Sequence, residues 1–193
     1  MQVVQKKLLP LILAKQADQK MLYAATKLLV MITMPPPADV KDLQVEQAFF
    51  VDYVEAIVNQ NILPVLVTLL SAPLERQGLN QGGGDMDLLL LELVLTLFRN
   101  LLNVAATAAS RATGASHRTE IHERLLVAME KELVLETVVT LCSMVELPEF
   151  QEFNLLFLEL LHLMFRGHHP KAILSAIKTT KGRGGSSRQN GGQ

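Results

Sequence analysis

Apolar residues in this chain fall into helix-length runs separated by short breakers. The pattern predicts helices over residues 2–16, 19–34, 41–59, 61–71, 86–105, 118–131, 132–146 and 150–166, with a weaker one over 170–178. Pro35-Pro36-Pro37 stops the second of them, because proline has no N–H and its ring clashes with a continuing helix. Asn59-Gln60-Asn61 is a short polar break, Gln77 to Gly84 is a flexible loop, and Asp85 is placed to cap the helix after it. Ser110 to Ser116 is small and polar, and Pro148 sits where a helix start tolerates a missing N–H.

The runs repeat. Leu8-Leu9-Pro10-Leu11-Ile12 and Ile62-Leu63-Pro64-Val65-Leu66 each open a short helix that leads to a longer one, Met21 to Met34 and Met86 to Val104. A third pair runs Leu133 to Met144 and then Phe153 to Arg166. Three such pairs predict an all-α, armadillo/HEAT-like α-solenoid, since no pair buries its apolar face alone. On the second long helix Glu92, Thr96, Arg99, Asn100 and Asn103 share a stripe, and Glu159, His162 and Arg166 form a matching one on the third. These are the candidate site residues, a polar ridge along a groove. Two roles are open for the arginines: a helix cap or pair with the glutamate one or two turns back, or a binding anchor.

Composition agrees with helix. Of 193 residues 49% are hydrophobic, with no Trp and two Tyr, so helix-forming Leu dominates over strand-forming aromatics. The net charge of −1 is uneven. From Lys171 onward there are five basic residues and no acidic one, which leaves 13 basic against 19 acidic before it. An acidic body matches the DNA backbone poorly, so the positive charge for any DNA contact is expected from a partner or a further segment. Cys142 is alone, in an apolar run; a buried thiol, no intrachain disulfide and an intracellular setting are expected. The N-terminus lacks the features of a signal peptide. Leu88 to Ala109 has membrane length, but Glu92 and Arg99 would each cost about 2.5 kcal/mol or more near a bilayer centre, so a buried central helix is expected.

Catalytic chemistry finds no motif. His117 and His122 are five apart, not the four of a helical zinc pair, and with Glu120 and Glu123 they read as a solvated helix start. His168-His169, before Pro170, read as a helix-end cap. Gly82-Gly83-Gly84 and Lys181-Gly182-Arg183-Gly184-Gly185 lack the spacing of a phosphate-binding loop, and no Gly-x-Ser-x-Gly is present. No metal, cofactor, small-molecule substrate or enzymatic activity is expected.

Several blocks, in order, resemble the N-terminal domain of the Timeless family. They are Leu8-Leu9-Pro10-Leu11 with Leu28-Leu29-Val30-Met31-Ile32-Thr33-Met34-Pro35; Leu74-Glu75-Arg76-Gln77; Leu97-Phe98-Arg99-Asn100-Leu101-Leu102-Asn103-Val104; His122-Glu123-Arg124-Leu125-Leu126-Val127-Ala128; and Leu160-Leu161-His162-Leu163-Met164-Phe165-Arg166 before Pro170. They span roughly 3–175. Met31 departs from an expected asparagine, and the Gly-rich loop and the small residues after Ser110 are also unlike the family pattern.

The resemblance implies a nuclear, non-catalytic scaffold of the replication fork protection complex, acting in fork pausing and the replication checkpoint. It implies a Tipin-type partner, contact with the replicative helicase and replisome, and DNA reached through the complex, with no membrane. The expected organisation is a repeat domain over 1–178, incomplete at its N-terminus, and a disordered Gly/Ser/Arg-rich tail over 179–193. The alternative is a generic armadillo-type protein-binding adaptor, for which an asparagine ladder would speak; Asn100 is its one candidate here.

Overall fold

A computed structural model describes residues 3–35, 43–78, 84–111 and 117–184. The prolines at 36 and 37, most of the Gly-rich loop, the small-residue stretch 112–116 and the tail from 185 lie outside the described residues. The described residues form helices and no strand. A π-helical turn, Val4–Leu8, leads into α1 (Leu9–Ala14), followed by α2 (Gln19–Thr33), α3 (Leu43–Asn59) and α4 (Leu63–Gly78). The chain continues with α5 (Asp85–Arg111), α6 (His117–Lys131), α7 (Val134–Ser143), a 3-10 turn (Pro148–Phe153), α8 (Asn154–Phe165) and α9 (Pro170–Gly184).

The helix ends follow local chemistry. Asp18 caps α2, its carboxylate accepting the Met21 N–H at 3.0 Å. Met34 is extended, as a residue before proline must be, and α2 stops. Asn61 (φ 56°) turns the chain between α3 and α4 in a left-handed conformation that asparagine tolerates. Leu133 (φ 60°) makes the corresponding break between α6 and α7, and Gly167 (φ 83°) reverses the chain after α8.

Several boundaries differ from expectation, among them the end of α5, which runs to Arg111 past the expected 105. α4 runs through Pro73 to Gly78 instead of ending at 71. Pro73 is itself buried, and beyond it Leu74 packs on the core while Arg76 grips Asp87 at 2.7 Å, so tertiary contacts offset the proline's lost hydrogen bond. Asp85 is the first residue of α5 rather than its cap, and it is Asp87 that is engaged; the Arg76 hydrogen bond holds the Asp87 carboxyl below its ordinary range. α9 continues six residues past 178, so 179–184 are helical where a disordered tail was expected.

The repeat expected from sequence is an observed packing pattern. Within each pair the short helix packs on the long one, α1 on α2, α4 on α5 and α7 on α8. The long helices then lie side by side, α2 on α5 and α5 on α8, while α3 and α6 pack on α5 and on each other. The architecture is an all-α helical repeat. At 27 residues α5 is about 40 Å long and forms its axis. Leu91, Val94, Leu95, Phe98, Leu101, Leu102 and Ala105 form the buried stripe of α5, at helical spacing. By length and composition Asp85–Ala109 resembles a membrane span, but here it is the hub on which five other helices pack. α9 has no comparable packing partner among the described residues.

Candidate partner-binding surface

The polar ridge predicted on α5 and α8 divides in three dimensions. Asn100 is fully buried and faces α2, where its side-chain amide donates to the Val30 carbonyl and to Thr33 Oγ1, both at 3.3 Å. Thr33 in turn donates to the Leu29 carbonyl at 2.7 Å. Asn100 is thus used up inside the fold, and it cannot serve as a rung of a peptide-gripping asparagine ladder. Its Oδ1, like Thr26 Oγ1, is buried without a partner among the described residues.

Arg99 pairs across the repeat, not along its own helix. Its guanidinium lies 3.7 Å from Glu159 of α8, while Glu92, seven residues back on α5, is exposed and makes no ion pair among the described residues. The expected intrahelical Glu-to-Arg pairing is therefore replaced by a link between the two long helices. Geometry explains it: at residue 99 the neighbour across the α5–α8 seam is closer than a side chain two turns away. Asn103 is half-buried beside this seam.

On α8 the outcome is different. His162 and Arg166 are exposed, and His162 shares its side of the helix with Leu155, Leu158 and Phe165. These three are 66%, 64% and 58% exposed, among the largest apolar exposures in the molecule. The predicted polar stripe on α8 thus shares its open side with these apolar residues, and its Glu159 meets Arg99. All-round apolarity hid this. Nearly every α8 residue is Leu, Phe or Met, so the sequence could not say which face stays open.

A cleft of about 410 Å³ lies where the α8–α9 turn meets α5 and α6, lined by Ala106, Ala109, His122, Glu123, Arg166, Gly167 and His168. His122 is buried here, which corrects the solvated role expected for it. Its Nε2 donates to the Leu163 carbonyl at 3.0 Å, an acceptor that fixes the ring proton on that nitrogen. His168 stacks on it with ring centroids 6.0 Å apart. Burial holds the His122 pKa below its ordinary value, and His168 and Arg166 push the same way against the Leu163 bond and Glu123. His169 does cap, but at the start of α9: its Nδ1 accepts the Lys171 N–H at 3.3 Å. Cys142 is partly buried, and burial raises its thiol pKa. No group of metal-ligating side chains occurs among the described residues.

The sequence profile of the family described as Timeless protein matches residues 1–193. Among curated proteins the chain is similar to mating-type switching protein swi1 of Schizosaccharomyces pombe, 30% identical over 128 residues, which are 66% of this chain and 11% of that protein. It is also similar to topoisomerase 1-associated factor 1 of Cryptococcus neoformans var. neoformans serotype D, 27% identical over 121 residues, 62% of this chain and 10% of that protein. The chain spans about a tenth of the length of the curated relatives it matches.

Proposed function

The chain belongs to the Timeless family, and from that premise we propose that it is a non-catalytic scaffold in protection of the replication fork. The observation that carries this is the family match over all 193 residues. The similarity to a mating-type switching protein and to a topoisomerase 1-associated factor supports a place in DNA transactions. In this function the chain works in the nucleus in fork pausing, fork stabilisation and the replication checkpoint, holding a Tipin-type partner and contacting the replicative helicase. DNA is engaged through the complex, because the body of the chain up to residue 170 is acidic.

The arrangement of α5 suits a scaffold. A single long helix buried against five others deforms little and keeps the outer helix faces in fixed relation. The test is co-purification: the chain, extended to the full protein where a longer gene is recovered, is expected to retain a Tipin-type partner through salt-stable washing. A well-folded full-length protein that retains none would sink the proposal.

A further inference from the structure

We propose that the groove between α6 and the α3–α4 corner docks a Lys/Arg-rich segment of a partner protein that also carries apolar side chains. The inference rests on the scaffold function above and names a surface and a partner chemistry for it. The groove is built from the middle of the chain, from residues 58–63 and 120–132, with packed helices before and after both segments.

The groove has a volume of about 560 Å³, a size at which pockets commonly hold a ligand. Its floor is apolar, with Val58 and Leu63 on one side and Val127 and Ala128 on the other, and Val127 is 66% exposed. On α6, Glu120, Glu123, Val127 and Lys131 follow steps of three and four residues, which puts them along one face.

The charge on this surface is one-sided. Glu120, Glu123 and Glu132 line the groove against Arg124 and Lys131. Arg124 is already engaged, donating to Asn59 Oδ1 at 3.3 Å. Asn59 lines an adjoining polar hollow of about 250 Å³, to which Asp52 and Glu55 contribute and no cation does. Lys6 and Lys7, next in sequence to Gln5 in its wall, do not line it. Across groove and hollow, five carboxylates therefore stand against two cations.

That combination selects the occupant. Lys and Arg carry a cationic head on an apolar stem, so a stem laid along Val58 and Val127 leaves its head among the carboxylates. Nucleic acid or an anionic lipid would set phosphates against the same carboxylates. The carboxylates are spread along the groove, and no group of them among the described residues converges on a metal position. A segment with basic and apolar residues together is the occupant that uses both the floor and the rim.

The experiment uses the 193-residue chain and three labelled synthetic peptides of equal length. One is rich in lysine and leucine, one has glutamate in place of the lysines, and one has serine in place of the leucines. Fluorescence anisotropy is expected to show the Lys/Leu peptide binding at least about tenfold more tightly than the Glu/Leu peptide and about threefold more tightly than the Lys/Ser peptide. The double variant Glu120→Gln, Glu132→Gln should lose at least about tenfold in Lys/Leu affinity with melting unchanged. Glu120→Gln alone and Val127→Ser, both at exposed sites, should each lose about threefold. Glu136→Gln, exposed on α7 and outside the groove, should change nothing. Equal binding of the Lys/Leu and Glu/Leu peptides, or Lys/Leu affinity untouched by the groove variants, would overturn the inference. So would equal binding of the Lys/Ser peptide, which would mark charge attraction alone, or a concentration-dependent mass that the double variant abolishes, which would mark a contact between copies. Retention of a Tipin-type partner, measured in parallel, separates the two proposals. If the full-length chain keeps that partner and the Lys/Leu peptide does not bind, the groove fails and the scaffold stands; if the unaltered full-length chain retains no partner, the scaffold fails.

Discussion

The helices carrying Phe98-Arg99 and Phe165-Arg166 share that dipeptide and the same seven-residue spacing from glutamate to arginine, yet the fold treats them oppositely. Phe98 is fully buried and Phe165 is 58% exposed. Arg99 is mostly covered and tied to the neighbouring helix, while Arg166 is exposed at the wall of a cleft. The difference lies in how many neighbours each helix has. α5 is enclosed by α2, α3, α4, α6 and α8; α8 has α5 on one side, α7 on another, and an open third face. Among the described residues the same local pattern is enclosed where five helices pack around it and open where fewer do.

The sharpest way to break this comparison is truncation of the two phenylalanines. Phe98→Ala is expected to lower unfolding free energy by about 3–5 kcal/mol, and Phe165→Ala by no more than about 0.5 kcal/mol, measured by urea unfolding. Equal losses would mean that the two helices are equally enclosed. Next in size is Asn100→Ala, which removes the amide linking α5 to α2 and should cost about 1–3 kcal/mol, with binding of partners unchanged in whatever remains folded. A null effect on stability would return Asn100 to the surface.

The cleft under the α8–α9 turn offers a pH test. Because the folded-state pKa of His122 is depressed below 6.5, the unfolded chain binds the proton first. His122 therefore contributes stability fully above about pH 6.5; stability falls as pH drops below that value and levels off beneath the folded pKa. Thermal melting of the parent chain compared with His122→Gln, at pH 7.5 and below 6.5, should show a smaller acid loss in the variant. A parallel loss in both would locate the acid sensitivity elsewhere.

The smallest effect concerns the arginines. The Arg99–Glu159 pair is 3.7 Å long with both side chains partly in water, so a double-mutant cycle should give a coupling of about 0.5 kcal/mol, falling with salt. Arg99→Ala should lower melting slightly, whereas Arg166→Ala, at an exposed site, should leave melting unchanged. A measurable Arg99–Glu92 coupling in place of Arg99–Glu159 would restore the pairing along one helix that the sequence suggested.

Much of the fold was legible from residue order. Apolar spacing and the breakers at Pro35, Asn59-Gln60-Asn61 and Pro148 located the helices, because secondary structure answers to interactions within a few residues. The Leu-Leu-Pro-Leu and Ile-Leu-Pro-Val openings disclosed the repeat for the same reason, and the length and apolarity of 86–105 marked it as the central helix. The candidate site was legible only as residue types. Periodicity put Asn100 and Arg99 on a common stripe, but a stripe about a third of a helix wide spans both a buried contact with α2 and a seam with α8. His122 looked solvated beside Glu120 and Glu123, and no local signal gives away the Leu163 carbonyl, 41 residues distant, that accepts its hydrogen bond.

By itself, then, the sequence determined that the chain is helical, that its helices repeat, and that its apolar faces must be covered by one another. Only the tertiary structure decided which of two nearly matching helices is enclosed, which glutamate Arg99 meets, and which apolar stripe is left open. The physical reason is that helix formation and amphipathicity are set by neighbours along the chain, whereas burial depends on how many other helices pack around each one.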